Sequence, residues 1–546
     1  MSLYYTNTLI ESKLNMIKCS KRLLALIPLQ FALLLVGVTH ATATSRPNVV
    51  VIVADDLGYA DMSFLPQAPD DVKHFGTPGF DRLAKTGTYF ANGYATSAIC
   101  SPSRTGLITG RYQQRWGNYS YGEGGLDPRE LTIPEKLNDL GYATSKVGKT
   151  HMNSGPKTYP ATLHGFEEFL GFQGGMTDYL RLSQKDLEAY RSRARGASGH
   201  HRVGPLTRAV GRGSGKQEEV SYENRLITDI FTEEAIEFIQ RQEGGTRPFY
   251  LHLSHLAVHV PTSVVDKKWA KKVGAPYVPW DRNAAKWEYP YWEPNECAAL
   301  DFHRRWNHMG EVDPNGRRCY LSHLLALDDS ISQVLDALEA SGLRENTIIF
   351  FVSDNGGTIN TYANNAPLRG FKYMYGEGGI RIPFMVSMPG TLPEGRFDTE
   401  ALVSAMDIFP TILDLIGEPP QENHDGKSLL PVLRGEKKTQ HEWLAWAMNR
   451  EKWAIRKGKW KLSNNNEWKH VNFRIDEKGF CHSVPEPVTY PGGLQLFNLE
   501  DDIGETVNLS TKHPEVVEQL KALQAAWSDQ MADPIPYKEK YAQSKN

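Results

Sequence analysis

The sequence predicts an α/β fold, a large mixed and mostly parallel sheet flanked by helices, with a smaller α+β region after it. Three observations predict this. Short apolar runs alternate with stretches of helical periodicity. The apolar runs lack polar alternation, so both faces of their sheet are covered. The character of the chain changes after about Glu436, where shorter strands with basic edges replace the apolar runs.

Taken in order, Asn48–Ala54 is a continuous apolar strand. Tyr142–Val147 ends at Gly148-Lys149-Thr150-His151. Phe249–Leu253 reads as another strand, Tyr320–Leu343 as a helix closing near Gly342, and Thr347–Val352 as a third buried strand. Beyond Glu436, Trp453–Leu462 reads as one strand, Leu494–Leu509 as strand, turn and loop, and Pro514–Trp527 as an amphipathic helix. Arg181–Lys216, rich in Arg, His, Gly and Ser, and Trp280–Trp306, dense in aromatics, read as surface insertions. The domain division expected is 1–43, 44–436 and 437–546.

Residues 1–43 have the layout of a signal peptide. Lys13, Lys18, Lys21 and Arg22 precede an apolar run from Leu23 to Val38, followed by the small residues Ala41 and Ala43. Pro28 and Gln30 interrupt the run, which falls short of the ~20 residues a membrane span needs. A secreted or periplasmic protein with no stable membrane insertion after cleavage is expected. A net charge of -3 over 546 residues gives no field that announces nucleic acid as a partner. Of five cysteines, Cys19 lies in the leader, and Cys297 and Cys319 are near enough in sequence to pair, which spacing alone does not decide. No C-x-x-C pattern points to a zinc ribbon or a redox dithiol.

The polar residues at the carboxyl ends of the buried strands carry the chemistry. Asp55 and Asp56 come after the first, His255 and His259 after the Phe249 strand, and Asp354 and Asn355 after the Thr347 strand. Open α/β sheets bind ligands outside the carboxyl ends of their strands, so these groups should converge. Asp-x-Gly and Asn-Gly are also turn signals. Two oxygen-donor pairs closing two buried strands favour a hard cation, calcium or magnesium, over that plainer reading. Cys100-Ser101-Pro102-Ser103-Arg104 opens a helical segment, with Pro102 at an early helical position. Cys100 then lies at a helix N-terminus, where N–H groups favour an anion. A buried structural cysteine is the alternative. Lys149 and His151, and Lys372 in Pro367-Leu368-Arg369-Gly370-Phe371-Lys372, add cations of the kind a tetrahedral oxyanion requires.

These motifs, in this order and with Glu377-Gly378-Gly379-x-Arg381-x-Pro383, resemble the formylglycine-dependent sulfatases of the alkaline-phosphatase superfamily. The match runs from about Pro47 to Leu433 and continues through Trp453–Leu462, Leu496–Leu499, Gly504-Glu505 and Asn508-Leu509. The resemblance implies an alkaline-phosphatase-like sheet and Cys100 oxidised to 3-oxoalanine (formylglycine) by a formylglycine-generating enzyme. The hydrated aldehyde then attacks sulfur. It implies one calcium ion held by Asp55, Asp56, Asp354 and Asn355, with the modified Cys100 facing it. Arg104 and Lys149 would hold the modified residue, His151 would assist breakdown of the sulfo-enzyme, and His259 and Lys372 would bind sulfate. His259 would protonate the leaving oxygen.

Thr150, Val258 and Phe371 stand where the family often has Trp, Pro and Gly, which changes pocket walls and no charged group. With export and the Arg-rich and aromatic segments, the expected substrate is a sulfated polysaccharide or its oligosaccharides. A phosphate or phosphonate ester hydrolase, or a non-catalytic glycan-binding protein with an unmodified Cys100, are the alternatives.

Overall fold

A computed structural model describes residues 46–120, 125–152, 161–181, 183–186, 188, 206–262, 264–277, 279 and 312–535. The leader, most of the Arg-rich segment, Trp280–Trp306 and Cys297 lie outside them. Residues 47–546 form one compact unit.

Ten strands form the main sheet: β1 (Asn48–Ala54), β2 (Thr88–Phe90), β3 (Ala143–Lys149), β4 (Glu168–Phe172), β5 (Leu206–Val210), β6 (Glu218–Val220), β7 (Phe249–Ser254), β8 (Thr347–Ser353), β9 (Phe384–Ser387) and β10 (Arg396–Asp398). Their spatial order is β10-β2-β9-β8-β1-β7-β3-β4-β5-β6. The central run β8-β1-β7-β3-β4 is parallel throughout. Antiparallel pairing enters on both sides, at β8–β9 and at β4–β5.

The apolar runs predict this burial. Every residue of β1, β3, β7 and β8 is buried. Val50, Ile52 and Ala54 face a core shared with α4 (Ile227–Arg241) and α5 (Gly316–Ala340). Val49, Val51 and Val53 face α3 (Ile133–Asp139) and α6 (Ile408–Leu415) on the other side. Further helices include α1 (Pro78–Lys85), packed on α5, and α2 (Cys100–Thr109). The expectation of a mixed, mostly parallel sheet with helices on both faces is met. The expected helix at Tyr320 begins one turn earlier, at Gly316.

Two local readings need correction. Trp453–Leu462 is two strands, β12 (Trp453–Lys457) and β13 (Trp460–Asn465), turned at Gly458, whose φ of 56° suits glycine. The Arg-rich segment is not wholly a loop, because Leu206–Val210 pairs within the main sheet. Arg208 and Arg212 there bind Glu234 and Asp139 of the same chain.

The smaller sheet joins β11 (Trp443–Ala447), β12, β13 and β16 (Gly493–Asn498), all antiparallel, backed by α7 (Pro514–Ser528). Between β13 and β16 the chain makes a separate hairpin, β14 (Trp468–Ile475) and β15 (Cys481–Tyr490), with an irregularity between His470 and Asn472. We propose a subdomain boundary at residues 436/437, ahead of β11. Among the described residues no helix is long and apolar enough to cross a membrane. Among the described residues Cys319 has no disulfide partner.

Buried charge ties the two sheets together. Lys461 of β13 lies 2.8 Å from Glu377 and 2.9 Å from Glu505, and none of the three is more than 1% exposed. Burial pushes both carboxyls up. Lys461, Arg381 and Arg456 nevertheless hold Glu377 down at about 2, while Glu505 stays raised. Removing Lys461 leaves Glu377 its Arg381 partner but takes from Glu505 the cation it is paired with in a dry interior. Lys461→Met should therefore cost about 3–5 kcal/mol, read as a large fall in the calorimetric midpoint. A midpoint within a degree of wild type would show that the cluster holds nothing together.

Candidate active site

The carboxyl ends of the central parallel strands deliver the acidic residues to one place. Asp55 and Asp56 come directly after β1, and Asp354 and Asn355 directly after β8, its neighbour. All four side chains are at most 2% exposed. Asp354 Oδ1 accepts the Asp56 N–H at 3.2 Å, and Asn355 Nδ2 donates to Asp56 Oδ1 at 2.7 Å. Asp56 has φ near 59°, a conformation Asp tolerates better than most residues.

Three cations answer the three carboxylates. Lys149, at the end of β3, bonds Asp55. Lys372 Nζ donates to Asp56 Oδ1 at 2.7 Å, and despite its burial Asp56 holds it well above the usual lysine range. Arg104, one turn into α2, lies 2.8 Å from Asp354 Oδ2 and 3.6 Å from Asp55 Oδ1.

Cys100 is the first residue of α2 and 3% exposed. Burial pushes its thiol up to about 12, against the pull of Lys149 and Lys372. A thiol so held stays protonated and is a poor nucleophile. Asp55, Asp56, Cys100 and His259 each place a ligand atom within 4.8 Å of the others. Asp55 Oδ1 and Asn355 Oδ1 are buried and lack hydrogen-bond partners among the described residues. Orphaned hard oxygens beside a thiol position and two further carboxylates are a donor set that fits a calcium-sized dication.

His259 donates from Nδ1 to the Val260 carbonyl at 2.8 Å, which leaves Nε2 3.7 Å from Asp56 Oδ2. Burial and Lys372 push its pKa down to about 3. His151 lies just past β3, and burial, Lys149 and Arg104 lower it well below the usual range. Its ring fits only because Gly175 has no side chain: a Cβ there would sit 2.9 Å from the ring. The sequence-predicted Cys100, Arg104, Lys149, His259 and Lys372 thus gather around the acidic cluster. His151 stands close enough to feel Lys149, Arg104, Lys372 and His259. His255 does not join them. It bonds Ser330 of α5 at 3.0 Å, on the other side of its strand.

Sequence reasoning missed two supports. Ser254 receives Arg104 Nη1, and the Tyr179 hydroxyl donates to the backbone carbonyl of His259 at 2.8 Å. An isolated Ser or Tyr carries no spacing signal that would have marked it. The paired glycines do have a legible reason: a Cβ on Gly356 would lie 1.9 Å from the Gly378 carbonyl, so both turns require bare backbone. Of the three family departures, Thr150 and Val258 are buried walls. The Phe371 ring meets Trp468, His470 and Tyr490 of the β14–β15 hairpin.

Comparison with known proteins agrees with this geometry. The family model described as Sulfatase matches residues 47–418, and that of the N-sulphoglucosamine sulphohydrolase C-terminal region matches 370–479. An N-acetylgalactosamine-6-sulfatase of Canis lupus familiaris is 26% identical over 89% of this chain and 86% of its own. An N-acetylgalactosamine-6-O-sulfatase of Bacteroides thetaiotaomicron is 28% identical, covering 88% and 93%. The crystal structure of Ps i-CgsB in complex with k-i-k-neocarrahexaose superposes with a TM-score of 0.68 at 28% identity, over 90% of this chain and 94% of that one.

The donor set predicts linkage between cation and stability. Calcium at about a hundred times its dissociation constant should stabilise the fold by about 2.7 kcal/mol, seen as a rise in melting temperature that a chelator reverses. Asp354→Asn should abolish most of that rise. A wild-type melting temperature indifferent to calcium and magnesium would remove the metal site.

Proposed function

Since the chain belongs to the sulfatase family and is a sulfuric ester hydrolase, we propose that it removes sulfate from a sulfated polysaccharide or its oligosaccharides, using formylglycine at position 100 and one calcium ion. The observation that carries this reading is the buried cluster at the head of α2, where Asp55, Asp56 and His259 gather their ligand atoms around the Cys100 sulfur, with Asp55 Oδ1 and Asn355 Oδ1 lacking hydrogen-bond partners among the described residues. A glycan substrate draws support from the named sugar sulfatases and from the oligosaccharide bound to Ps i-CgsB.

Asp55, Asp56, Asp354 and Asn355 would hold calcium, which would neutralise charge on the sulfate oxygens and on the attacking group. The modified Cys100 would supply a hydroxyl nucleophile, a role that a thiol kept protonated by burial does not fill. Lys149 and Arg104, which balance Asp55 and Asp354, would also hold that residue. Lys372, 2.7 Å from Asp56, is placed to grip a sulfate oxygen beside the metal position. His259 donates from Nδ1 to the Val260 carbonyl, so Nε2 is the bare nitrogen of the neutral ring, and it would have to take up a proton there before passing one to the departing oxygen. His151 Nδ1 has no hydrogen-bond partner among the described residues, which leaves it for the release step. The leader read in residues 1–43 would take the enzyme to the periplasm or outside the cell, where such polymers are met.

The test is free sulfate released from a panel of sulfated oligosaccharides by enzyme co-produced with a formylglycine-generating enzyme. Phosphate esters serve as the contrast. Cys100→Ala should abolish release, and Lys372→Ala should lower kcat/KM at least about a hundredfold. Mass spectrometry of the Cys100 peptide should show a mass lower by one sulfur and two hydrogens, less one oxygen. A converted enzyme that releases phosphate and no sulfate would overturn the reading.

A further inference from the structure

Two adjoining cavities lie against the outer side of the loops that carry the charge cluster. One, of about 280 Å³, is lined by Leu368, Phe371, His470, Asn472, Phe473 and Tyr490. The other, of about 440 Å³, is lined by Asp70, Asp71, Asn364, Ile475 and Asp476. Ala363, Asn365 and Phe473 border both, so they form one groove between the β14–β15 hairpin and loop 359–371.

The groove is tied to the catalytic loops. Phe371 immediately precedes Lys372. Asn365 Oδ1 accepts the N–H groups of Tyr59 and Gly357, three and two residues past Asp56 and Asn355. Its Nδ2 donates to the carbonyls of Gly357 and Gly370.

The lining chemistry selects the occupant. The half-buried rings of His470, Phe473 and Tyr490 and the buried ring of Phe371 lie among amides, as suits a sugar ring with apolar C–H faces and hydroxyl edges. Among the described residues that line the groove there is no lysine or arginine, and the nearby Arg369 stacks behind the Tyr490 ring while donating to the Glu505 carbonyl, so no fixed cation in the lining is offered to a sulfate or a carboxylate. The far end is acidic instead. Arg317 neutralises Asp71 at 2.7 Å, whereas Asp70 is exposed at a helix start and repels an anion. We propose that this groove is a subsite for an uncharged sugar residue next to the sulfated one. The enzyme would then prefer glycans whose flanking residue bears neither sulfate nor carboxylate. The inference rests on the glycan reading above and adds a specificity to it.

The experiment compares three substrates: an oligosaccharide with a neutral sugar beside the sulfated one, its analogue with that sugar sulfated, and a small aryl sulfate. Wild type should favour the neutral flank by about tenfold or more in kcat/KM. Phe473→Ala should raise KM for the neutral-flanked oligosaccharide by about tenfold, leave its kcat, and leave aryl sulfate turnover unchanged. Asp70→Lys should narrow the preference between the two flanks. If Phe473→Ala also loses aryl sulfate turnover, its fold is damaged and Asp70→Lys decides. Equal turnover of both flanks by wild type, or a preference that Asp70→Lys leaves unchanged, overturns the subsite. Turnover of the aryl sulfate with none of either oligosaccharide would instead sink the glycan reading, and the subsite with it.

Discussion

Three carboxylates buried within reach of one another are the constraint that the rest of the molecule answers. Asp55, Asp56 and Asp354 would repel each other and forfeit their hydration if left alone. Each is met by a cation from a different part of the chain: Lys149 from β3, Lys372 from the loop before Glu377, and Arg104 from α2. No single helix or hairpin supplies such a set. Parallel strands do, because their carboxyl ends lie on one edge and their crossover helices keep both faces dry. The continuous apolar runs and the charged residues after them are two consequences of one demand.

A cation is useful only where its backbone is fixed, and that extends the demand to the smaller sheet. The loop bearing Lys372 is held from below by residues more than 80 positions away. Tyr375 N–H donates to Asn465 Oδ1, Arg369 donates to the Glu505 carbonyl, and the Glu377 N–H donates to Glu505 Oε2. Lys461 then sits between the two glutamates. Such a buried network is costly when incomplete and specific when complete. The C-terminal sheet therefore sets the position of Lys372, and the chain cannot be divided there without loosening the site.

Much of this was legible in the sequence, and the parts that were not share a cause. The strands β1, β7 and β8 announce themselves because both of their faces are dry. Asp55, Asp56, Asp354 and Asn355 are readable because each closes such a strand. Leu206–Val210 was hidden inside an Arg-rich stretch, since a strand near the sheet edge needs only a half-apolar pattern. The β14–β15 hairpin was missed for the same reason, with Pro485 and Pro487 adding the look of a loop. Ser254 and Tyr179 act through single hydrogen bonds to groups distant in sequence, and no local pattern encodes that. The partnership of Lys461 with Glu377 and Glu505 is likewise a fact of tertiary packing.

Formal charge explains why the cluster suits its chemistry. Asp55, Asp56 and Asp354 cancel Lys149, Arg104 and Lys372, and burial keeps His259 neutral. A dication accepted by the orphaned oxygens of Asp55 and Asn355 would leave the pocket with an excess of two positive charges. A sulfate ester bears one negative charge, and the sulfate that departs bears two. Charge complementarity therefore improves as sulfate is released from the enzyme, which is the direction in which fixed charges lower the barrier of that step. It also explains the absence of lysine and arginine among the described residues lining the neighbouring groove. Extra cations there would compete for the sulfate that the central cluster must hold.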